Sequence, residues 1–181
     1  MITLPTLKSL KAQFNNAQFV AASPEGKRVK IARDVLALMD AQALDVSKGR
    51  YLEFIHEDEN EGREQFAEGA MCDLLQHDGA ECRCCAIGSM MLAFACEAGP
   101  IERTSAKNRD EMAGYLQEFF SFDQLRLIEA AFECWDEEEF GDEGDDDADL
   151  FGRGYPDATN RLRGIMGNII THNGTFTPEA I

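Results

Sequence analysis

No protein interior accepts the stretch from Asp136 to Asp149, where ten acids and no bases fall within fourteen residues. Whatever the chain folds into, this segment has to lie at the surface, and the segments on either side have to build a core without it. It also concentrates the charge. The formal net charge is -17, and outside residues 136–149 the chain carries 17 bases against 24 acids, a net of -7. Residues 1–33 run the other way, with Lys8, Lys11, Lys27, Arg28, Lys30 and Arg33 against Glu25 alone, so a basic front faces an acidic rear.

The segments flanking the acidic run read as helices. Before it, Leu125, Ile128, Phe132 and Trp135 share one face of a helix expected from Phe122 to Trp135, with Ser121 as cap and Gln124 reaching back. After it, Leu162, Ile165, Met166, Ile169 and Ile170 recur at i, i+3, i+4, i+7 and i+8. Pro156-Asp157 marks the start of that helix, and Asn173-Gly174 supplies a left-handed stop.

Upstream the same period persists. Met112, Tyr115, Leu116 and Phe119 predict a helix over 108–120, hinged to the next near Ser121. Ser23-Pro24-Glu25 opens a helix from Pro24 to Ala41 that carries Ile31, Val35, Leu38 and Met39. Leu4, Leu7, Leu10 and Phe14 suggest a shorter one ahead of it, and Phe66, Ala70 and Leu74 another over 64–76. From Cys85 to Cys96 the apolar residues surround nearly the whole circumference, which predicts a central buried helix. Arg50 to Ile55 alternates as a short strand would. The expected fold is mostly α: a single helical domain over residues 1–181, a bundle of six or seven helices with one short strand, in which 136–149 is an acidic loop insertion. A chain of 181 residues, 44% of them hydrophobic, buries roughly 70% of its unfolded surface as one domain.

The opening residues, MITLPTLKSLKAQF, contain no uninterrupted apolar stretch of the kind a signal peptide or membrane span needs. The expectation is a cytoplasmic protein with its six cysteines kept as thiols.

The segment from His77 to Cys85 is the most chemically suggestive. Cys82 and Cys85 form a C-x-x-C with Cys84 between them, so His77, Cys82, Cys84 and Cys85 are the candidate metal ligands, and zinc is the metal such donors suit. Cys72 is the other nearby thiol, and no familiar second pair of ligands follows. The competing reading is structural: Cys85 and Cys96 lie three helical turns apart, on one face with Gly88 and Leu92, and buried cysteine behaves as a small hydrophobe. A thiol-redox role would need a βαβ context that the pattern lacks.

Of the three histidines, His172 reads as a last-turn residue at a helix terminus, and His56, beside Glu57, Asp58 and Glu59, as part of a polar turn. The chain has no glycine-rich phosphate loop, H-E-x-x-H or G-x-S-x-G. No residue set nominates a catalytic centre, and no cofactor motif is present.

The acidic run itself fails the calcium-loop register. Counting from Asp136 places Gly141 at the sixth position but Phe140 at the fifth, where an oxygen ligand belongs, and Asp147 where a bidentate glutamate is usual. That excludes an EF-hand but leaves loose, low-affinity cation binding open, and three further readings stand beside it. Asp136, Glu137, Glu138, Glu139, Asp142, Glu143, Asp145, Asp146, Asp147 and Asp149 can present negative potential to a groove evolved for phosphates, so that the protein binds a basic, nucleic-acid-binding partner and not nucleic acid itself. The run can serve only as a solvated loop. It can also lie against the basic segment around Lys27, Arg28, Lys30 and Arg33 until a partner displaces it.

Two stretches carry a resemblance to a family of uncharacterised bacterial and phage proteins: Cys85-Ala86-Ile87-Gly88-Ser89, and the tail from Arg161 to Ile170 closing in Asn173-Gly174-Thr175-Phe176. That family has no assigned activity, so the resemblance implies no catalytic residue. A phage or mobile-element origin would point to an inhibitor of a host nucleic-acid-handling or defence protein. The leading expectation is a non-enzymatic acidic interaction protein with a DNA-mimic-like surface, with a metal- or thiol-dependent protein centred on Cys82–Cys85 as the alternative.

Overall fold

The structure, a computed structural model, describes residues 16–42, 44–48, 53–57, 64–66, 81–98, 114–134 and 146–178. In chain order these form α1 (Asn16–Ala21), α2 (Pro24–Asp40), β1 (Asp45–Val46), β2 (Glu53–Glu57), β3 (Glu64–Phe66), β4 (Glu81–Cys84), α3 (Ala86–Ala98), α4 (Phe122–Glu133), α5 (Asp146–Arg153) and α6 (Ala158–Thr171). The mostly helical architecture expected from the periodicity is present.

Capping explains where the long helices begin. The Ser23 hydroxyl accepts from the Gly26 amide ahead of α2, the Ser121 hydroxyl from the Gln124 amide ahead of α4, and the Asp157 carboxylate from the Asn160 amide ahead of α6. The end of α6 is equally legible. Its last turn closes by two backbone bonds, Gly174 N to Ile169 O and Asn173 N to Ile170 O, with Asn173 and Gly174 at φ 51° and 93°.

Helix α3 lies at the centre. Ala86, Ile87, Met90, Met91, Leu92, Ala93, Phe94 and Cys96 are all buried, so among its described side chains no face of the helix is given over to solvent. Around it α2 contributes Ile31, Val35 and Leu38, α4 contributes Leu125, Ile128 and Phe132, and α6 contributes Leu162, Ile165, Met166 and Ile169 to one continuous core. At one end Phe19, Phe94 and Phe119 form an aromatic cluster with ring centroids 5.8 to 5.9 Å apart.

The expected short strand belongs to a small sheet. Strand β2 covers the later part of the alternating segment, and the sheet order is β1-β4-β2-β3, with β2 antiparallel to both neighbours and β1 parallel to β4. Glu64–Phe66, expected to begin a helix, is instead the edge strand β3, in register with Ile55–Glu57 of β2. Pairing with a distant segment decides the conformation of so short a stretch, and helical spacing read from three apolar residues cannot anticipate it. The rest of that expected helix, 67–76, lies outside the described residues, as do the segments holding Leu4 to Phe14 and Met112. Residues 114–116 are helical within the expected helix over 108–120.

Two arginines tie the helices together through backbone carbonyls. Arg161 is buried, and donates from Nε to Gly152 O at 2.8 Å and from Nη1 to Phe132 O at 2.8 Å, joining the ends of α5 and α4. Arg28 donates from Nε to Gly174 O at 2.7 Å and from Nη1 to Phe119 O at 2.5 Å. Buried bonds to a charged donor each contribute about 1.5–3 kcal/mol, whereas an exposed pair such as Arg163–Asp40, at 2.7 Å, contributes under about 1 kcal/mol. The carbonyl bonds of Arg161 and Arg28 therefore outweigh the exposed Arg163–Asp40 pair.

Candidate functional site

The acidic run enters the described structure at Asp146, and there the expectation of a loop extending to 149 is corrected: Asp146, Asp147 and Asp149 belong to the first turn of α5. The physical reason is twofold. Carboxylates are favourable beside the positive end of a helix dipole, and Ala148, Phe151 and Gly152 form a buried i, i+3, i+4 stripe that was hidden among the charges. Phe151 packs edge-on against Phe176 at 5.3 Å and tilted against Tyr155 at 5.3 Å.

Gly152 lets α5 approach α4 closely. A Cβ there would fall 2.2 Å from the carbonyl oxygen of Ala131 and 2.9 Å from Cβ of Cys134. Asp147 and Leu150 face solvent on the opposite side, Leu150 with 53% of its surface exposed. Asp136, Glu137, Glu138, Glu139, Asp142, Glu143 and Asp145 lie outside the described residues. The helix before the run ends at Glu133, with Cys134 as its cap at φ 24° and Trp135 outside the described residues.

The basic segment expected to receive the acidic run has other partners. Arg28 is held by two carbonyls and by Glu25 at 3.5 Å, Lys27 lies over the Phe19 ring at 5.6 Å, and Lys30 meets Asp34 and Glu97. Arg33 is exposed.

The cysteine segment divides. Cys82 is in β4, and His77 and Cys72 lie outside the described residues. Cys84, Cys85, Cys96 and Cys134 are buried thiols. Burial pushes the Cys85 thiol up to about 12, with the neighbouring Cys84 and Glu133 acting in the same direction against the amides of Gly88 and Ile87. A thiol so placed is protonated at neutral pH, so Cys85 is a poor nucleophile and a poor ligand as it stands. Ser89 donates to Cys85 O at 2.8 Å and lies 3.5 Å from Cys84 Sγ, which makes it a helix-interior hydroxyl and not a nucleophile at an elbow. Lys48 Nζ lies 3.4 Å from Cys134 O and 3.7 Å from its sulfur. Among the described residues no group of three or more His, Cys, Asp or Glu side chains is arranged to hold a metal ion. None of the described helices is long and apolar enough to cross a membrane.

His172 caps α6, its Nδ1 3.0 Å from Asn168 O, as its place in the sequence implied. Sequence reasoning missed a third cluster. Asp34 on α2 and Glu97 on α3 are both buried, and both carboxylates meet the ammonium of Lys30. Lys30 and Asp34 stand four residues apart on one helix, a spacing ordinarily read as a surface ion pair, and nothing in the sequence links them to Glu97.

Comparison of the chain with protein-family models, curated proteins and solved structures finds no match.

Proposed function

We propose that the chain is a non-enzymatic acidic interaction protein that places the carboxylates of residues 136–149 against a basic surface of a partner, in the manner of a nucleic-acid mimic. The observation that carries this reading is the attachment of the run. It is not a free tail, because its last residues form the first turn of a helix clamped to the core by Phe151, Gly152 and Arg161. Clamping one end limits the volume the carboxylates can explore, which lowers the entropy lost when a partner orders them. The exposed Leu150 beside exposed Asp147 adds an apolar contact of the kind found at interface centres.

The test is competition. The full chain is added to complexes of labelled duplex DNA with a panel of basic DNA-binding proteins, and displacement is followed across ionic strength. Displacement at low salt that weakens steeply as salt rises supports the reading. So does loss of displacement in a variant whose ten acids over 136–149 are changed to Asn or Gln and whose circular dichroism and melting midpoint are unchanged. Absence of displacement from every partner at low salt rejects it.

A further inference from the structure

We infer that Lys48 and Cys134 form a redox-sensitive pair, in which oxidation of the thiol by hydrogen peroxide lets the lysine amine bond to its sulfur and fasten the end of α4 to the end of β1.

Two contacts place the amine. Lys48 Nζ lies 3.4 Å from the carbonyl oxygen of Cys134 and 3.7 Å from its sulfur, although 86 positions separate the two residues in the chain. The carbonyl contact alone is an ordinary way for a lysine to satisfy the end of a helix. The sulfur contact is additional, and it sets an amine and a thiol side by side.

The fold holds both residues where they meet. Lys48 stands just after β1, and the amide of Ser47 between them donates to Cys84 O at 3.0 Å, which carries the pairing of β1 with β4 up to the lysine. Cys134 ends α4 with its amide donating to Ala130 O at 2.9 Å, and its φ of 24° is a conformation that a residue with a side chain adopts at a cost. Towards α5 it has little room to turn away, since a Cβ on Gly152 would fall 2.9 Å from Cys134 Cβ. Cys134 is 3% exposed whereas Lys48 is exposed, so the sulfur lies just beneath a surface amine. Such a cover excludes a bulky alkylating reagent and admits hydrogen peroxide, a molecule little larger than water.

The step balances with peroxide as the oxidant. The sulfur of Cys134 attacks a peroxide oxygen, the O–O bond breaks, and a sulfenic acid and water form. The neutral amine of Lys48 then attacks that sulfur, the S–O bond breaks, and the hydroxyl leaves as a second water with a proton from nitrogen. Sulfur has given up two electrons, the peroxide has become two waters, and an S–N bond replaces one S–H and one N–H. Sulfenic acids condense with nitrogen in this way when one is within reach, and the flexible four-carbon stem of lysine covers the remaining distance. Excess thiol reverses the bond: two thiols join as a disulfide and return the cysteine and the amine.

The experiment treats the full chain with hydrogen peroxide, digests it with trypsin in the absence of reductant and maps the peptides by mass spectrometry. The expected product joins residues 34–50, left uncut after Lys48, to residues 127–153, at a mass two hydrogen atoms below the sum of the two peptides. Dithiothreitol should release both. Lys48→Arg keeps a cation beside the carbonyl but removes the amine, so in that variant the linked peptide should be lost and Cys134 should proceed to the sulfinic acid. A wild-type chain in which Cys134 is recovered as the thiol, as the sulfinic acid or in a disulfide, with no linked peptide, overturns the inference. That reading is taken on the wild-type chain, so it stands whether or not the variant folds.

Discussion

The ring of Tyr155 lies across Gly164 so closely that a Cβ at that position would fall 2.1 Å from Tyr155 Cζ and 2.2 Å from its hydroxyl oxygen. Gly164 sits inside α6, where alanine would be worth up to about 1 kcal/mol more than glycine, while displacing a packed ring costs about 1–3 kcal/mol. Gly164→Ala should therefore destabilise the protein by about 1–2 kcal/mol. In a Tyr155→Ala background the same change should become stabilising, and a double-mutant cycle by urea unfolding measures the reversal.

A larger effect is expected at Gly152, where the obstacle is backbone. The Ala131 carbonyl, 2.2 Å from a Cβ built there, is part of α4 and cannot swing aside as a tyrosine ring can. Gly152→Ala should cost about 3 kcal/mol and should free the start of α5 from α4. Limited proteolysis near 146–153, faster in the variant than in wild type, would report that release.

Asp157 makes the amino end of α6 sensitive to acid. Hydrogen bonds from the Asn160 amide and the Asn160 side chain hold its carboxyl below the usual range. Because the folded value is lowered, the stabilisation is present above the unfolded value of 3.8 and is lost as pH falls through the folded one. The melting midpoint of Asp157→Ala should lie below that of wild type at pH 6, and the two should converge as pH falls below 3.8 and through the lowered folded value.

Cys85 should resist chemistry. With its thiol raised to about 12 and its side chain 2% exposed, alkylation of the native protein at pH 8 should leave it unmodified, together with Cys84, Cys96 and Cys134. Mass spectrometry of peptides after native and denatured labelling makes the comparison. Rapid native labelling of Cys85 would restore the thiol reading of this segment.

Helix positions were readable wherever apolar spacing and a cap agreed. Ser23, Ser121 and Asp157 stand at the starts of α2, α4 and α6, and the Asn173-Gly174 stop ends the last of these. What the sequence concealed depends on partners far along the chain. Strand β4, Glu81–Cys84, stood out in the sequence only for the spacing of its cysteines, and its pairing with β1 and β2 is what makes it a strand. Helix α5 was hidden because its apolar stripe is two residues and a glycine set in a run of aspartates. The Asp34–Glu97 pair joins residues 63 positions apart through Lys30, itself 67 from Glu97, and no local pattern encodes such a meeting.

The last described residues finish the core instead of trailing from it. Phe176 is 1% exposed, and its amide and carbonyl are matched by the side chain of Gln124, 52 residues earlier, while Thr177 is matched in the same two-way fashion by Asn168. Two carboxamides thus do for the tail what a neighbouring strand does in a sheet. On a ribosome, which delivers the chain from its amino end, the helices that await Phe176 are made well before it. Their hydrophobic seam stays open until Phe176 emerges, so the final closure of this core waits on a short segment made after the helices and not on the assembly of the helices themselves.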